Sequence, residues 1–174
     1  EKIGFRFNET ILRAVDVINS KAVEKGINII QELPEEASEI LLGDPHRIKQ
    51  ILINIIGNSI KFTESGYIKI QMTVEKFTGD QRWVRIRIKD TGIGISSSQK
   101  ETVFESFKQG DNISKGFYGG TGLGLTITKQ LIELQEGNIC VLNEEDEGSV
   151  FYFELPLIVS EQTEEIQTFL DESH

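Results

Sequence analysis

The clearest hydrophobic pattern lies between Asp44 and Thr63, where apolar and polar positions fall on opposite sides of one predicted helix. Apolar residues recur every three or four positions and predict a buried face, which consists of Ile48, Ile51, Leu52, Ile55 and Ile56. The opposite stripe consists of Arg47, Gln50, Asn54, Asn58 and Lys61. Asp44 is a suitable N-cap and Pro45 suits the first helical position, so together they predict where this helix begins.

The segment before this helix predicts a strand, a helix and a second strand. Residues 3–7 are compatible with a short strand, and Asn8 is positioned to cap the helix that follows. The predicted apolar side of that helix consists of Ile11, Leu12, Val15, Ile18 and Ala22. Gly26 is expected to end the helix, and residues 27–33 then predict the second strand.

Two strongly alternating segments follow the central helix, at residues 67–77 and 83–89. The short connection between them predicts a β-hairpin. On the second strand, Val84, Ile86 and Ile88 alternate with Arg85, Arg87 and Lys89. This alternation is typical of a sheet that is buried on one face only, so we expect helices to cover that face.

The last third of the chain predicts a short helix, a long loop, a second helix and a final hairpin. Ser98 and Glu101 have the spacing of a capping box for the short helix, which reaches Phe107. Residues 108–121 are rich in glycine and lack an apolar period, as expected of a functional loop. The next helix is expected to end at Gly137 and to bury Leu123, Ile127, Leu131 and Leu134. The hairpin is predicted at residues 138–143 and 149–157.

Length and composition limit the class of protein. With 174 residues the chain suits one domain, which we place at residues 1–158, followed by an acidic tail or linker at 159–174. The net charge of −10 argues against nucleic acid as a partner. Cys140 cannot form an internal disulfide and is predicted to be a buried thiol in a cytoplasmic domain. The chain begins with Glu rather than Met and is expected to be part of a longer protein.

Asp90 is the first candidate for ligand binding, because it directly follows a predicted strand. A carboxylate can accept a hydrogen bond from the adenine amino group, whereas guanine presents an acceptor oxygen at the same ring position. Gly92 and Gly94 would let the backbone approach the base. The alternative interpretation is an ordinary turn, in which Asp and Gly are common.

A second glycine cluster, residues 119–125, opens a predicted helix. Free backbone amides at a helix N-terminus bind phosphate. The cluster lacks the Lys and Ser or Thr of a Walker A loop, and it does not follow a strand as a Rossmann fingerprint would. Its alternative interpretation is a closely packed helix entrance, and Lys115 in the preceding loop is either a solvated charge or a phosphate contact.

The helical stripe of Asn54, Asn58 and Lys61 is the third candidate. An Asn side chain offers a neutral oxygen to Mg²⁺, which takes its other ligands from water and phosphate, and Lys61 would neutralise phosphate charge. The alternative is a solvated helix face. The three candidates together suit the binding of a nucleotide polyphosphate with its metal.

Taken in order, these motifs resemble the ATP-binding catalytic domain of sensor histidine kinases, a family within the superfamily of gyrase, heat-shock chaperone and mismatch-repair ATPases. The N, G1, F and G2 boxes of that family resemble residues 54–63, 90–94, 104–107 and 119–125. The closing segments at 148–151 and 155–157 match as well. The resemblance spans residues 5–157 and implies an α+β fold, a two-layer α/β sandwich in which three helices cover one face of a mixed sheet.

The resemblance also implies a site. Asp90 would bind adenine, Asn58 would ligate Mg²⁺ with help from Asn54, and Lys61 would contact the phosphates of ATP. The implied nucleotide-binding residues are Asn54, Asn58, Lys61, Phe62, Asp90, Gly92, Ile93, Gly94, Phe107, Lys115, Tyr118, Gly119, Gly120, Thr121, Gly122, Leu123, Gly124 and Ser149. Of these, Asn54, Asn58 and Lys61 are the implied catalytic residues, and residues 108–121 would form a lid.

The implied function is transfer of the ATP γ-phosphoryl group to a histidine on a dimerisation segment absent from this chain. Hydrolysing members of the superfamily carry a glutamate base at the position of Asn54, and an amide cannot take that proton. The implied partners are that dimerisation segment, a response regulator or receiver domain, and a second copy of the parent protein, whether or not the parent is membrane-anchored. The alternative is a pseudokinase that binds nucleotide without transferring phosphate.

Overall fold

The computed structural model of the chain describes residues 2–94, 123–143 and 148–160. Seven strands occur in these ranges. They are β1 (Ile3–Arg6), β2 (Asn28–Glu32), β3 (Ile40–Gly43), β4 (Tyr67–Lys76), β5 (Gln81–Asp90), β6 (Asn138–Asn143) and β7 (Ser149–Val159). The helices described there are α1 (Phe7–Lys25), α2 (Pro45–Phe62) and α3 (Leu123–Leu134), together with a 3₁₀ turn at Glu35–Ser38.

All seven strands belong to one mixed sheet. Its order is β1-β3-β7-β5-β4-β2, and β6 pairs with the first half of β7. β2 and β4 run parallel, and the other pairs are antiparallel. Asp90, at the end of β5, lies opposite Ile68 near the start of β4, and Lys89 lies opposite Val150 near the start of β7. The sheet therefore brings three strand ends together around Asp90.

The helices cover one face of this sheet, as predicted. Val84, Ile86 and Ile88 of β5 point into the helical layer and are fully buried. α2 packs against α1, α3 and β5, and each of its five predicted core residues is fully buried. In the described ranges the molecule is therefore the predicted two-layer α/β sandwich, with a mixed sheet under the helices α1, α2 and α3.

The beginning of α2 agrees with the prediction. The helix starts at Pro45, and the Asp44 side chain caps it by accepting a hydrogen bond from the Arg47 backbone N–H at 3.2 Å. The Arg47 guanidinium lies 3.3 Å from the same carboxylate. Partial burial raises the pKa of Asp44, but this hydrogen bond and the charge of Arg47 contribute to a net pKa below its usual range.

The predicted start and apolar face of α1 need correction. The helix begins at Phe7, with Arg6 as an extended N-cap residue, so Asn8 lies inside the first turn rather than at the cap. The Phe7 ring is fully buried, which favours a helix that starts two residues earlier than predicted. Leu12 is 52% exposed and does not belong to the buried face. Gly26 ends the helix in the left-handed conformation, as predicted.

The predicted apolar face of α3 is only partly correct, since Leu131 is half-buried and packs against the core. Ile127 and Leu134 are exposed, and the buried face contains Leu125, Thr128 and Ile132 instead. The period was misread because Thr128 looks polar in the sequence, yet its hydroxyl donates to the Gly124 carbonyl at 2.7 Å and can therefore be buried.

The end of α3 likewise differs from the prediction. The left-handed residue after this helix is Glu136 (φ 65°) rather than Gly137. Gly137 has another structural role, because a Cβ atom there would collide with the Glu154 carbonyl. The glycine thus permits close contact between the chain leaving α3 and β7.

Cys140 is exposed, which corrects the prediction of a buried thiol. Its neighbour Val141 is buried, and alternation along β6 therefore directs Cys140 to the uncovered face of the sheet. Partial desolvation and the charge of Glu154 both raise the pKa of the thiol.

The last described strand runs slightly further than predicted. β7 extends to Val159, whose N–H donates to the Asp80 carbonyl, and the Ser160 N–H donates to the Ile40 carbonyl. The predicted tail lies almost entirely outside the described residues. Among the described helices, none combines the length and the apolarity required to span a membrane.

Candidate nucleotide-binding site

The Asp90 carboxylate is the buried centre of the candidate site. It projects from the end of β5 on the helix-covered face and is only 1% exposed. Oδ1 accepts hydrogen bonds from the Gly92 N–H at 2.9 Å and the Ser149 N–H at 3.3 Å. Oδ2 accepts from the Ser149 hydroxyl at 2.7 Å. These three bonds fix the carboxylate in one orientation and compensate for part of its desolvation.

The turn after Asp90 packs directly against the end of α2. The Ile93 N–H donates to the Phe62 carbonyl at 3.4 Å. A Cβ atom on Gly92 would collide with that carbonyl and would lie 3.0 Å from Asp90 Oδ1, so this glycine is required by close packing. Gly94 has a φ of 77°, and Ile93 is 57% exposed. The four predicted residues Phe62, Gly92, Ile93 and Gly94 are thus brought together.

Thr91 attaches this turn to the neighbouring strand. Its hydroxyl oxygen accepts a hydrogen bond from the Tyr67 N–H at 3.1 Å, and the hydroxyl lies 3.3 Å from the carbonyl oxygens of Ser65 and Tyr67. Gly66 has a φ of 116°, and a Cβ atom there would collide with the Thr91 hydroxyl. The start of β4 and the turn after β5 therefore form one rigid edge of the site.

Ser149 reaches Asp90 because Gly148 precedes it. Gly148 has a φ of 89°, and a Cβ atom at this position would collide with the Asp90 carbonyl. We named Ser149 only through the family resemblance. A glycine directly before a strongly apolar strand was the available local signal for this close approach.

Asn58 presents an amide oxygen on the polar face of α2. Its Nδ2 donates to the Asn54 backbone carbonyl at 2.8 Å, which sets the orientation of the amide. In the described part of the chain, no hydrogen bond to Asn58 Oδ1 is found. The side chain is partly exposed, so this oxygen is accessible to a cation.

The Asn54 amide is held by protein groups on both of its ends. Its Nδ2 donates to the Thr128 hydroxyl at 3.1 Å and to the Gly124 carbonyl at 3.3 Å, while Oδ1 accepts from Gln50 at 3.0 Å. Asn54 therefore connects the polar face of α2 to the first turn of α3. Thr128 was not among the site residues predicted from the sequence.

Lys61 is exposed at the end of α2, close in sequence to the Phe62 carbonyl that contacts the turn after Asp90. The carbonyls of Ile60 and Lys61 accept hydrogen bonds from Lys25 Nζ at 2.7 Å and 3.3 Å. This cation from α1 compensates for the unpaired carbonyls at the helix C-terminus. No spacing pattern in the sequence indicates this contact between α1 and α2.

The structure thus joins α2 to the turn after β5 through Phe62 and to the start of α3 through Asn54. Seven predicted site residues lie outside the described residues, namely Phe107, Lys115, Tyr118, Gly119, Gly120, Thr121 and Gly122. Leu123 begins α3, and Gly124 contributes its carbonyl to the contact with Asn54. Within the described ranges, no group of three or more His, Cys, Asp and Glu residues is arranged to hold a metal ion.

Comparison with known proteins agrees with this geometry. Residues 43–159 match the family model described as histidine kinase-, DNA gyrase B-, and HSP90-like ATPase. The hybrid signal transduction histidine kinase K of Dictyostelium discoideum is 39% identical over 165 residues, which represent 90% of this chain and 14% of that protein. The chain spans 14% to 18% of the length of the first curated relatives it matches.

Two solved structures have the same fold. Full-length ShkA in complex with AMPPNP superimposes with a TM-score of 0.77 at 29% identity, over 92% of this chain and 32% of that one. The catalytic domain of histidine kinase ThkA gives 0.71 at 32% identity, over 90% of this chain and 97% of that one. The chain therefore belongs to the histidine kinase-, DNA gyrase B- and HSP90-like ATPases, and it is the ATP-binding catalytic domain of a sensor histidine kinase.

Proposed function

We propose that this domain binds ATP with Mg²⁺ and transfers the γ-phosphoryl group to a histidine on a dimerisation segment outside this chain. The observation that carries the proposal is the amide at Asn54, where hydrolysing members of the superfamily have a glutamate base. Because an amide is not basic enough to activate water, water is a poor acceptor here. The contacts of Asn54 with Thr128 and Gly124 give it a positioning role.

Asp90 is the residue that selects adenine. A carboxylate can accept about four hydrogen bonds, and the protein supplies three of them. One acceptor position therefore remains for the exocyclic amino group of adenine. Guanine would bring its carbonyl oxygen to the same position, where acceptor would face acceptor at a cost of roughly 1–3 kcal/mol.

Asn58 and Lys61 are proposed to act on the phosphates. The accessible Asn58 Oδ1 fits Mg²⁺, which prefers oxygen ligands and completes its shell with water and phosphate oxygens. The ion would neutralise negative charge on the transferring group, as is general in phosphoryl transfer. Lys61 would contribute a second, fixed positive charge, while the rigid turn at Asp90 holds the base in place.

The remaining predicted residues stay part of the proposal. Lys115 and Tyr118 would belong to a lid over ATP. Phe107, which precedes that lid in the sequence, would also contact the nucleotide. The amides of residues 119–123 would bind phosphate at the start of α3, which is supported by the position of that helix next to Asn54.

In the transfer step, an imidazole nitrogen of the acceptor histidine attacks the γ-phosphorus. A phosphorus–nitrogen bond forms from the lone pair of the unprotonated attacking nitrogen, the bond from the γ-phosphorus to the bridging oxygen breaks so that ADP leaves with that electron pair, and the other ring nitrogen loses its proton. The domain contributes position and charge compensation, which are the main requirements of phosphoryl transfer.

Further partners follow from the same proposal. The phosphoryl group would pass to a response regulator or receiver domain, within a parent protein that is a homodimer and places this domain in the cytoplasm. Support comes from the name of the Dictyostelium relative, which is a hybrid kinase. The net charge of −10 disfavours nucleic acid as a partner.

The direct test mixes this chain with a histidine-containing dimerisation segment of a sensor kinase and ATP labelled at the γ-phosphate. We expect an acid-labile phosphorylated segment, and loss of labelling when the acceptor histidine is replaced by Gln. Asn58→Ala should reduce labelling at least tenfold because the metal ligand is lost, whereas Lys49→Ala, on the same helix outside the polar stripe, should leave it near the wild-type rate.

Three results would contradict the proposal. Binding of ATP without transfer to any segment would favour a nucleotide-binding pseudokinase. Rapid phosphate release by the isolated chain would indicate a hydrolysing ATPase. Equal labelling by wild type and Asn58→Ala would remove Asn58 from the mechanism.

A further inference from the structure

Two buried hydroxyl groups lie at the end of α2. Ser59 and Thr63 are both fully buried, and neither Ser59 Oγ nor Thr63 Oγ1 has a hydrogen-bond partner among the residues that the structure describes. Buried polar side-chain atoms in native proteins are rarely left unpaired, because desolvation without a compensating bond is costly. Two such atoms one helical turn apart therefore require an explanation.

A local partner is readily available to a hydroxyl in a helix, namely the carbonyl four residues earlier. Other residues of this chain use it: Thr10 donates to the Arg6 carbonyl at 3.1 Å, and Thr128 donates to the Gly124 carbonyl at 2.7 Å. Ser59 does not make the corresponding bond. Its hydroxyl is thus buried without using this acceptor.

The location of this pair relates it to the site. Ser59 lies on the buried side of the last turn of α2, and Thr63 is the buried C-cap residue that follows the helix. The same turn carries the Phe62 carbonyl, which contacts Gly92 and Ile93 immediately after Asp90. Asp90 projects from β5 on the face that α2 covers. The two hydroxyls therefore line the same layer of the molecule as the Asp90 carboxylate and Ser149.

We propose that the hydroxyls of Ser59 and Thr63 are specificity-determining groups that bind the edge of the adenine ring beside Asp90, directly or through one ordered water. This inference rests on the proposed position of the base. The amino group bound by Asp90 is flanked by two ring nitrogens, N1 and N7, which are hydrogen-bond acceptors. A hydroxyl can donate to such a nitrogen and can simultaneously accept from a water.

The test compares Ser59→Ala and Thr63→Val with the wild-type chain in ADP binding by calorimetry. Each variant should bind ADP about threefold to tenfold more weakly, the range expected for one lost hydrogen bond. The analogues 1-deaza-ADP and 7-deaza-ADP lack N1 and N7, respectively. For the analogue that lacks the nitrogen bound by the hydroxyl, the affinity of the variant should be within twofold of the wild-type affinity, because the hydrogen bond is absent in both. Equal weakening toward ADP and both analogues would indicate a packing effect and overturn the proposal.

Thermal unfolding without ligand supplies the second readout. Removing an unpaired hydroxyl should leave the Tm unchanged or raise it, whereas the control Thr10→Val removes a paired hydroxyl and should lower it. A decrease in Tm for Ser59→Ala as large as that for Thr10→Val would show a structural role and overturn the proposal. If the wild-type chain fails to bind ADP, the proposed function fails. If the wild-type chain binds ADP and both variants bind it with the same affinity as the wild type, this inference fails and the proposed function stands.

Discussion

At the residue scale, the site depends on a few atoms whose hydrogen bonds are almost fully accounted for. The carboxylate of Asp90 accepts three protein donors, and the amide of Asn54 is held through both of its ends. Side chains fixed in this way lose little further conformational freedom when a ligand binds. A small number of side chains can therefore determine which nucleotide is accepted.

Replacing Asp90 by Asn tests base selection. The Asn side chain is nearly isosteric, and its oxygen can still accept the Gly92 and Ser149 amides, so we expect the chain to remain folded. The affinity for ADP should fall about tenfold to a hundredfold, since the amide cannot provide the same acceptor to the amino group. Calorimetry measures this loss, and circular dichroism provides the control for folding. ADP binding at the wild-type affinity would contradict the role of Asp90.

Cys140 offers a pH-dependent prediction on the uncovered face of the sheet. Desolvation and the nearby Glu154 raise its thiol pKa above the usual value, so the thiolate forms only at higher pH. The rate of alkylation by iodoacetamide should have a midpoint pH above that of free cysteine. Glu154→Gln should lower the midpoint but not restore it fully, because the desolvation remains. A midpoint at or below that of free cysteine would contradict this account.

At the element scale, α2 organises the molecule because each of its ends and faces has a different neighbour. Its apolar side packs over the sheet, its polar side carries Asn54 and Asn58, and its last turn supports the loop after Asp90. The bounds of α2 could be predicted because the cap, the proline and the period agree. The buried faces of α1 and α3 were partly misassigned because Leu12 and Ile127 are apolar but exposed, and hydropathy alone does not reveal which stripe meets the core.

Removing the cap of α2 should destabilise the chain in a pH-dependent way. Asp44→Ala should lower the free energy of unfolding at pH 7 by about 0.5–2 kcal/mol. The folded-state pKa of Asp44 lies below its unfolded-state pKa, so its charge-dependent stabilisation is complete above the unfolded-state pKa and is lost as the pH falls through the folded-state pKa. Urea unfolding at several pH values measures the effect. Asp16→Ala, at an exposed position of α1, is the control and should lower the free energy of unfolding by less. An equal decrease for the two variants at pH 7 would contradict the capping role.

The contact between α2 and α3 should behave as a coupled pair. We expect Asn54→Ala and Thr128→Val each to destabilise the chain by about 1–2 kcal/mol, and the double variant by about 0.5–1.5 kcal/mol less than their sum. Gln50→Ala removes only the exposed partner of Asn54 and should cost less than about 0.5 kcal/mol. Urea unfolding of the wild type, the two single variants and the double variant gives the double-mutant cycle, and Gln50→Ala is measured in the same way as the control. Strict additivity would show that the hydrogen bond does not connect the two helices energetically.

At the scale of the whole molecule, the sheet converts distant sequence segments into one site. Asp90 and Ser149 are hydrogen-bonded across 59 positions of the sequence. Local reasoning could propose Asp90 and the polar face of α2 as candidates without relating them, whereas Ser149 was predicted only through the family resemblance. The family resemblance supplied that relation, and the structure brings together those that it describes. The contact of Gly92 with the Phe62 carbonyl and the Lys25 bond to α2 could not be predicted from the sequence, because they depend on distances between elements.

The most direct test of the account is a titration of the isotopically labelled chain with ADP and Mg²⁺, followed by the amide signals in ¹H–¹⁵N spectra. The backbone signals of Gly92 and Ser149 and the side-chain amide signal of Asn58 should shift together along one binding curve. The signals of Cys140 and Arg85 on the uncovered face of the sheet should remain in place. Saturation without shifts at the first three residues, or with larger shifts on the uncovered face, would contradict the site described here.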